Sequence, residues 1–104
     1  MGTPIAFVIH PELRYAPSSR PADLMLEETC LLAGAIGLEV VHSEVIALAN
    51  LRAGSYFGKG VTKRLGDLAE DFIHDTDAPV VIVNTSLSPV QQRNLETQIK
   101  AKVI

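Results

Sequence analysis

Apolar residues fall into short runs separated by polar stretches, and four of these runs predict β-strands. "IAFVIH" (residues 5–10) is a continuous apolar run, as in a strand buried on both faces. "APVVIVN" (78–84) is rich in β-branched residues, which strands favour. "LEVVHSEVIAL" (38–48) mixes apolar and polar residues and predicts a more exposed edge strand, and "KVI" (102–104) predicts the start of a fourth strand.

A first helix is predicted over residues 21–35, after a proline-rich loop. Pro21 suits the first turn of a helix, because its missing N–H has no intrahelical acceptor there. Leu24, Leu31 and Leu32, with Cys30 nearby, recur at helical spacing, so they are expected to form the buried face.

Two further helices are predicted, over residues 60–75 and 88–101. The last one has the clearest start: Ser88 is expected at the N-cap, Pro89 at the first helical position, and Gln91 completes a capping box.

The predicted order is therefore β-α-β-α-β-α-β, an α/β fold over one domain, residues 1–104. Alternating strands and helices indicate a parallel sheet with right-handed crossovers, here a small three-layer, doubly wound domain. We expect four mainly parallel strands in the order 2-1-3-4.

In such a sheet every strand-to-helix loop emerges at the carboxyl ends of the strands, which is where ligands bind. The loops 11–20, 49–60 and 84–88 should therefore share one rim. The rim residues of interest are Arg14, Tyr15, Arg52, Tyr56, Phe57, Lys59 and Asn84.

Composition indicates an ordinary globular protein and excludes a few classes. Of 104 residues, 47% are hydrophobic and 20% are charged, which does not fit a disordered chain. The single cysteine, Cys30, permits no internal disulfide, so we expect an intracellular, cytoplasmic protein. No apolar run approaches the roughly 20 residues needed to span a bilayer.

The net charge of −3 conceals a block pattern. Residues 45–66 hold four bases and no acid, whereas residues 67–77 hold five acids and no base. The glycine-rich segment "GSYFGKG" (54–60) lies inside the positive block. Local charge of this kind concerns binding partners more than fold.

"GSYFGKG" resembles a phosphate-binding loop but lacks its parts. A Walker A loop needs G-x-x-x-x-G-K-[ST] after the first strand, where the hydroxyl holds Mg²⁺. This segment is one residue short, has Gly60 in place of the hydroxyl residue, and follows the second strand. Binding of a nucleotide or another small molecule, as in a regulatory domain, stays open because loop amides and helix N-termini attract anions.

Two other interpretations of the same segment remain. The glycines Gly58 and Gly60 could simply allow a tight turn into the second helix. Alternatively, exposed aromatic rings beside cations are what RNA contact uses, with charge for phosphates and rings for unpaired bases. The candidate RNA-binding residues are Arg52, Tyr56, Phe57, Gly58, Lys59, Gly60, Lys63 and Arg64.

No catalytic or metal-binding group is predicted in this chain. The three histidines lie in separate predicted elements and Cys30 has no C-x-x-C partner. No nucleophile elbow or acid–base pair is present. The polar run Gln91, Gln92, Arg93 and Asn94 is either a helix start with solvent-facing amides or a further contact surface, with Gln91, Gln92 and Arg93 as candidate rim contacts.

Two motifs together resemble the N-terminal domain of HflX-type ribosome-associated GTPases. "YFGKG" (56–60) opens a helix, and "VVIVNTSLSPVQQRNLE" (80–96) leads from a hydrophobic strand into a helix that begins L-S-P-x-Q-Q-R-N-L-E. The resemblance covers essentially the whole chain, since "VIHPEL" and "KAKVI" stand where the first and fourth strands of that family would be.

The resemblance implies a non-catalytic module that contacts ribosomal RNA on the large ribosomal subunit. In that family a GTPase domain follows in sequence, and GTP and Mg²⁺ belong to it. This chain contains no Walker A motif, so the resemblance implies neither cofactor nor enzymatic activity for residues 1–104.

Overall fold

A computed structural model describes residues 4–14, 20–49, 54, 56–72 and 78–104. Within these residues the chain forms three strands and three helices in strict alternation, which confirms the α/β class. In chain order they are β1 (Ile5–Leu13), α1 (Ala22–Ala35), β2 (Glu39–Leu48), α2 (Lys59–Glu70), β3 (Val80–Val83) and α3 (Pro89–Ile99).

The three strands form a parallel sheet in the order β2-β1-β3, so the predicted neighbours and the edge position of β2 are confirmed. The fourth strand is not formed as such. Val103 instead makes an isolated parallel bridge to Val81, on the side of β3 away from β1. The Val81 and Val83 N–H groups donate to the carbonyls of Lys102 and Ile104.

β1 runs three residues beyond its predicted end at His10. β3 pairs only with residues 6–9, whereas β2 pairs with β1 as far as Leu13. Pro11 therefore lies beyond the part of β1 that β3 pairs with, and its missing N–H interrupts no bond to β3.

The two faces of the sheet carry different layers. Phe7 and Ile9 point into a core shared with α2 and α3, where Leu65, Leu95 and Ile99 are buried. Ala6 and Val8 alternate with them and face the other side, which α1 covers through contacts with β1 and β2. The predicted three-layer arrangement follows from this alternation.

The buried face predicted for α1 is wrong. Leu31 and Leu32 are each 68% exposed and Leu24 is 42% exposed. Ala33 is the buried residue, on a side shared with half-buried Leu26 and Cys30. Because α1 has apolar residues on both sides, spacing alone could not decide which side meets the sheet.

α2 also differs from its predicted bounds. The helix begins one residue earlier, at Lys59, and ends at Glu70, with Asp71 and Phe72 in a turn. Residues 73–77, the rest of the predicted helix, lie outside the described residues. No described helix has the length and apolar character needed to cross a bilayer.

Candidate functional site

The carboxyl rim is the edge of the sheet at which the three strands end. It is formed by Arg14, Ala49 and Asn84 with the first turns of α2 and α3. Parallel strands bring these ends together, as the sequence predicted. Tyr15 and Arg52, two of the predicted rim residues, lie outside the described residues.

The aromatic pair of the glycine-rich segment is buried, and the expectation of exposed rings is wrong. Tyr56 is 6% exposed and Phe57 is 1% exposed. Their rings pack edge to face with centroids 5.3 Å apart, inside the cluster formed by the sheet, α2 and α3. The rings fill the core at its rim end, so they are not placed to stack on RNA bases.

The backbone explains how two adjacent bulky residues enter the core. Tyr56 has φ 69°, a left-handed conformation that is unfavourable for a residue with a side chain. The hydroxyl of Tyr56 lies 3.4 Å from Oγ1 of Thr85, beyond the end of β3. Core packing of the two rings offsets the backbone strain.

The burial of these rings also bears on phosphate binding. A phosphate cradle needs an open loop whose amides converge on the ligand. Here the middle of the segment turns into the core. Gly58 then serves as the N-cap of α2 without any side-chain cap, and Lys59 and Gly60 form its exposed first turn.

The cations of the positive block differ in their partners. Arg64 Nη1 lies 2.8 Å from Glu44 Oε1 of β2, and Lys63 Nζ lies 3.1 Å from Asp67 Oδ2 one turn later. Lys59 is exposed and has no ion-pair partner among the described residues. Lys59 is therefore the described cation of the block whose charge is least compensated.

The Glu44 carboxylate lies beside both Arg64 and His42 at the edge of the sheet. His42 Nε2 is buried away from solvent and lies 3.2 Å from Glu44 Oε1, which is its polar neighbour among the described residues. Burial of the Glu44 carboxyl opposes its ionisation, but hydrogen bonds and charge from Arg64 and His42 prevail and hold its pKa below the ordinary value. Arg64 is thus paired with β2, although half of its side chain is exposed.

The polar side chains in the first half of α3 form hydrogen bonds within the fold. Ser88 and Gln91 form the predicted capping box, each backbone N–H donating to the other's side chain at 3.0 and 3.1 Å. Gln92 Nε2 donates to the carbonyl of Val103 at 2.8 Å, and the Val103 N–H donates to Glu96 Oε2 at 3.0 Å. These bonds fasten the last residues of the chain to α3.

Asn94 reaches the glycine-rich segment. Its Nδ2 donates to the carbonyl of Gly54 at 2.7 Å, which ties α3 to the loop before Tyr56. Gln91 and Gln92 are both half-buried, so their amides do not simply face solvent. Arg93 alone among the polar residues 91–94 is exposed. It forms no ion pair within the described part of the chain.

Asn84 has a partner that sequence reasoning did not find. Its Nδ2 lies 3.1 Å from Nδ1 of His10, which is 4% exposed. With the amide donating to Nδ1, the ring proton is on Nε2. His10 continues the alternation of Ala6 and Val8, and Asn84 continues that of Val80 and Ile82, so both residues belong to the face of the sheet that α1 covers. This alternation is the feature of the sequence from which their contact could have been predicted.

One groove of about 350 Å³ opens between α2 and α3. Lysines and acids both line it, and Ile99 lies at its wall, so the groove carries no strong preference for anions. Its charged residues are Lys59, Lys63, Asp67, Glu70 and Lys100. In the described part of the chain no group of three or more His, Cys, Asp or Glu is placed to hold a metal ion.

The family follows from comparison with known proteins. The model of the family described as GTP-binding GTPase N-terminal matches residues 23–104, which include the glycine-rich segment and the polar start of α3. The chain belongs to this family. The resemblance that these two motifs carried is confirmed.

Two relatives are both described as GTPase HflX. That of Magnetococcus marinus is 35% identical over 80 residues, covering 77% of this chain and 18% of the relative. That of Lacrimispora saccharolytica is 33% identical over 79 residues, covering 76% and 17% respectively. The matched part of the chain thus covers less than a fifth of the length of these relatives.

Proposed function

We propose that this HflX-type N-terminal domain is a non-catalytic module that contacts ribosomal RNA on the large ribosomal subunit in the cytoplasm. Family membership supports the proposal, and so does the chemistry of the carboxyl rim. The observation that carries it is the set of exposed rim cations without ion-pair partners among the described residues: Arg14, Lys59 and Arg93.

The proposal reassigns the roles of the candidate RNA-binding residues. Lys59 is the first residue of α2 and Arg93 the fifth residue of neighbouring α3, and both supply charge for phosphates. Lys63 adds charge that its exposed pair with Asp67 only partly offsets, since such pairs are weak. Tyr56 and Phe57 contribute indirectly, because they fix the segment that carries Lys59.

Binding to large ribosomal subunits across a salt series tests this function. Removing one cation that meets a phosphate should reduce the slope of log affinity against log salt by about 1. The double variant Lys59→Ala, Arg93→Ala should therefore bind more weakly with a slope smaller by about 2. Lys102→Ala is the matched control, because Lys102 is exposed and lies beside the start of β3, away from the carboxyl rim.

An affinity that does not change with salt concentration, or that is the same in the double variant as in the parent chain, would contradict the RNA proposal. The rival function is a nucleotide- or small-molecule-binding regulatory domain that uses the uncapped start of α2. Calorimetric titration with ATP and GTP separates the two. Micromolar nucleotide binding that Lys59→Ala abolishes would favour the rival.

A further inference from the structure

β2 forms one edge of the sheet, and its side away from β1 is unpaired. The carbonyl of Leu48 accepts from the N–H of Arg14, so the backbone groups of Leu48 point toward β1. Because this direction alternates along a strand, the backbone groups of Ser43, Val45 and Ala47 point away from β1. No hydrogen bond among the described residues uses these groups, which are here named the outer edge of β2.

The outer edge lacks the features that normally prevent pairing with another strand. Natural edge strands are protected by Pro, by Lys or by bulges. Residues 42–48 contain no Pro, Lys or Arg, and the irregularity in the register of β1 and β2 lies before them. Ser43 and Ala47 are small and exposed. Nothing in this part of β2 itself therefore opposes an added strand.

Two acids of α1 lie on the side of the helix that is toward the outer edge. The residues of α1 that face the sheet include half-buried Leu26 and buried Ala33. Glu27 follows Leu26 by one position, and Asp23 precedes Glu27 by about one turn, so both acids lie roughly 100° round the helix from the sheet. With a right-handed crossover from β1 to β2, this side of α1 is toward the outer edge of β2.

Contacts on the other face of the sheet agree with this geometry. There the sense is reversed, so the residue before buried Leu65 of α2 should point toward β2 and the residue after it toward α3. Arg64 indeed pairs with Glu44 of β2 at 2.8 Å. A Cβ at Gly66 would lie 3.3 Å from the carbonyl oxygen of Gln98, next to the end of α3.

Charge differs between the two sides of the outer edge. On the α1 side, Asp23 and Glu27 are exposed and form no ion pair within the described part of the chain. Residues 22–35 contain no base that could offset them. On the α2 side, Arg64 is half exposed and is paired with Glu44. An added strand would thus meet acids on one of its faces and a guanidinium group on the other.

This difference in charge narrows the choice of occupant. Two copies of β2 paired about a two-fold axis would bring Asp23 and Glu27 of both copies to the same side of the joined sheet, with no base of α1 to receive them. Nucleic acid is repelled by carboxylates and offers no ladder of amide groups. A protein strand that has bases on one face satisfies both the backbone and the acids.

We propose that the outer edge of β2 binds an extended protein segment in which Lys or Arg alternates with uncharged residues. Its backbone pairs with Ser43, Val45 and Ala47, and its bases face Asp23 and Glu27. Its uncharged side chains lie on the α2 side, where a further base would be repelled. This is strand addition to a sheet edge, with alternate side chains giving specificity. The proposal does not depend on RNA binding at the carboxyl rim.

Amide exchange in the ¹⁵N-labelled chain tests the proposal with two synthetic peptides long enough to span β2. In both peptides Val occupies every second position, and the remaining positions are Lys in one and Glu in the other. In the chain alone, the N–H groups of Ser43, Val45 and Ala47 should exchange rapidly, whereas those of Glu44 and Ile46 point toward β1 and should exchange slowly. The lysine peptide should slow the three outer amides and bind about tenfold more tightly than the glutamate peptide.

One pair of variants tests the edge itself. Ala47→Pro removes an outer N–H that makes no bond to β1, so it should weaken the binding of both peptides while the sheet is kept. Ala47→Thr, the matched control, retains the N–H and should bind like the parent chain. The melting temperatures of both variants show whether the fold is kept. If Ala47→Pro does not fold, exchange at Ser43 and Val45 in the parent chain still decides the matter.

A second pair of variants tests the charges without altering the edge. Asp23→Asn with Glu27→Gln should bring the affinities of the two peptides close together, because the acids that favour lysine are neutralised. Asp67→Asn with Glu70→Gln removes two exposed acids from α2, on the other face of the sheet, and should leave the preference unchanged.

The proposal would be overturned if neither peptide binds, if both bind the parent chain equally, or if the protected amides are centred outside residues 43–47. Slow exchange of the three outer amides in the chain alone would also overturn it. If that protection is lost on dilution, and sedimentation shows a dimer, the outer edge belongs to a second copy.

Discussion

At the scale of single residues, neighbours in the sequence have separate tasks. Tyr56 and Phe57 fill the core while Lys59, two residues later, is exposed. The same division occurs in α3, where Asn94 binds the Gly54 carbonyl beside exposed Arg93. A motif shared with a family can therefore be retained for folding as well as for binding, and each residue needs its own argument.

Phe57→Ala should destabilise the chain by about 3–4 kcal/mol, because it removes a fully buried ring and leaves a cavity. Lys59→Ala should change the free energy of unfolding by less than about 0.5 kcal/mol, since Lys59 is exposed. Urea denaturation measures both. Similar stabilities for the two variants would mean that the ring is not part of the core.

Burial at this segment could not be predicted from composition. Tyr and Phe beside Lys and Gly are equally typical of an RNA-contacting loop and of a loop that anchors itself in a core. The difference lies in the left-handed φ of Tyr56 and in the space between α2 and α3, both of which depend on the folded chain. Lys59 and Arg93 lie near the starts of α2 and α3, and their contact with RNA stays a prediction.

The cluster of Glu44, Arg64 and His42 predicts how the free energy of unfolding changes with pH. The folded chain lowers the pKa of Glu44, so its contribution is complete above the unfolded value of about 4.3 and is lost as pH falls through the folded value. Glu44→Gln should remove about 0.5 kcal/mol at pH 7, a small figure because the cluster is partly solvated.

Urea unfolding of the parent and Glu44→Gln chains at pH 7 and pH 3 measures this linkage. The difference between them should shrink toward acid. Thr97→Ser, an exposed change on α3, serves as a control at both pH values. A difference that grows as pH falls would give the opposite sign and contradict the cluster's role.

At the scale of elements, the sequence predicted the strands and the starts of helices better than the helix faces. The capping box of α3 is local, so four residues suffice to predict it. The buried face of α1 is settled by what the helix packs against: Leu31 is 68% exposed, whereas Ala33, two residues later, is 2% exposed. Where a helix has two apolar sides, only the tertiary fold separates core from surface.

The contact between α2 and α3 depends on Gly66. A Cβ there would lie 3.3 Å from the carbonyl oxygen of Gln98, whereas a Cβ at Gly34 of α1 would meet nothing within 4 Å. Gly66→Gln should therefore destabilise by about 1–3 kcal/mol by forcing the helices apart. Gly34→Gln, its matched control, should be neutral or slightly stabilising because Gly is a poor helix former.

Thermal unfolding of the two glutamine variants compares them directly. Since both replace a helical glycine with the same residue, the propensity gain is similar and the difference reports the close approach. Equal melting temperatures would show that α3 can move away at little cost.

At the scale of the whole molecule, the edge of the sheet beside β3 is completed by residues 102–104. Val103 is fully buried, and its N–H and carbonyl are both bonded to α3 side chains. Hydrogen bonds also join this segment to Val81 and Val83. Residues 102–104 thus connect β3 to α3, and their removal would unpair groups on both.

A chain shortened to end at Ala101 should be less stable than the parent by about 4 kcal/mol. Burial of Val103 contributes about 2 kcal/mol, and the hydrogen bonds to β3 and to α3 supply the rest at about 0.5 kcal/mol or more each. Such a decrease is a large part of the roughly 5–15 kcal/mol typical of a small protein. Urea denaturation measures the decrease, and amide exchange at Val81 and Val83 shows whether it is centred on β3.

Ile104→Ser is the control for the shortened chain, because the Ile104 side chain is 51% exposed and its replacement should change stability little. The backbone bond from the Val83 N–H to the carbonyl of residue 104 is kept in this variant. If the shortened chain is as stable as the parent, the bridge to β3 does not hold the sheet edge. α3 would then be anchored through the core alone, by Leu95 and Ile99.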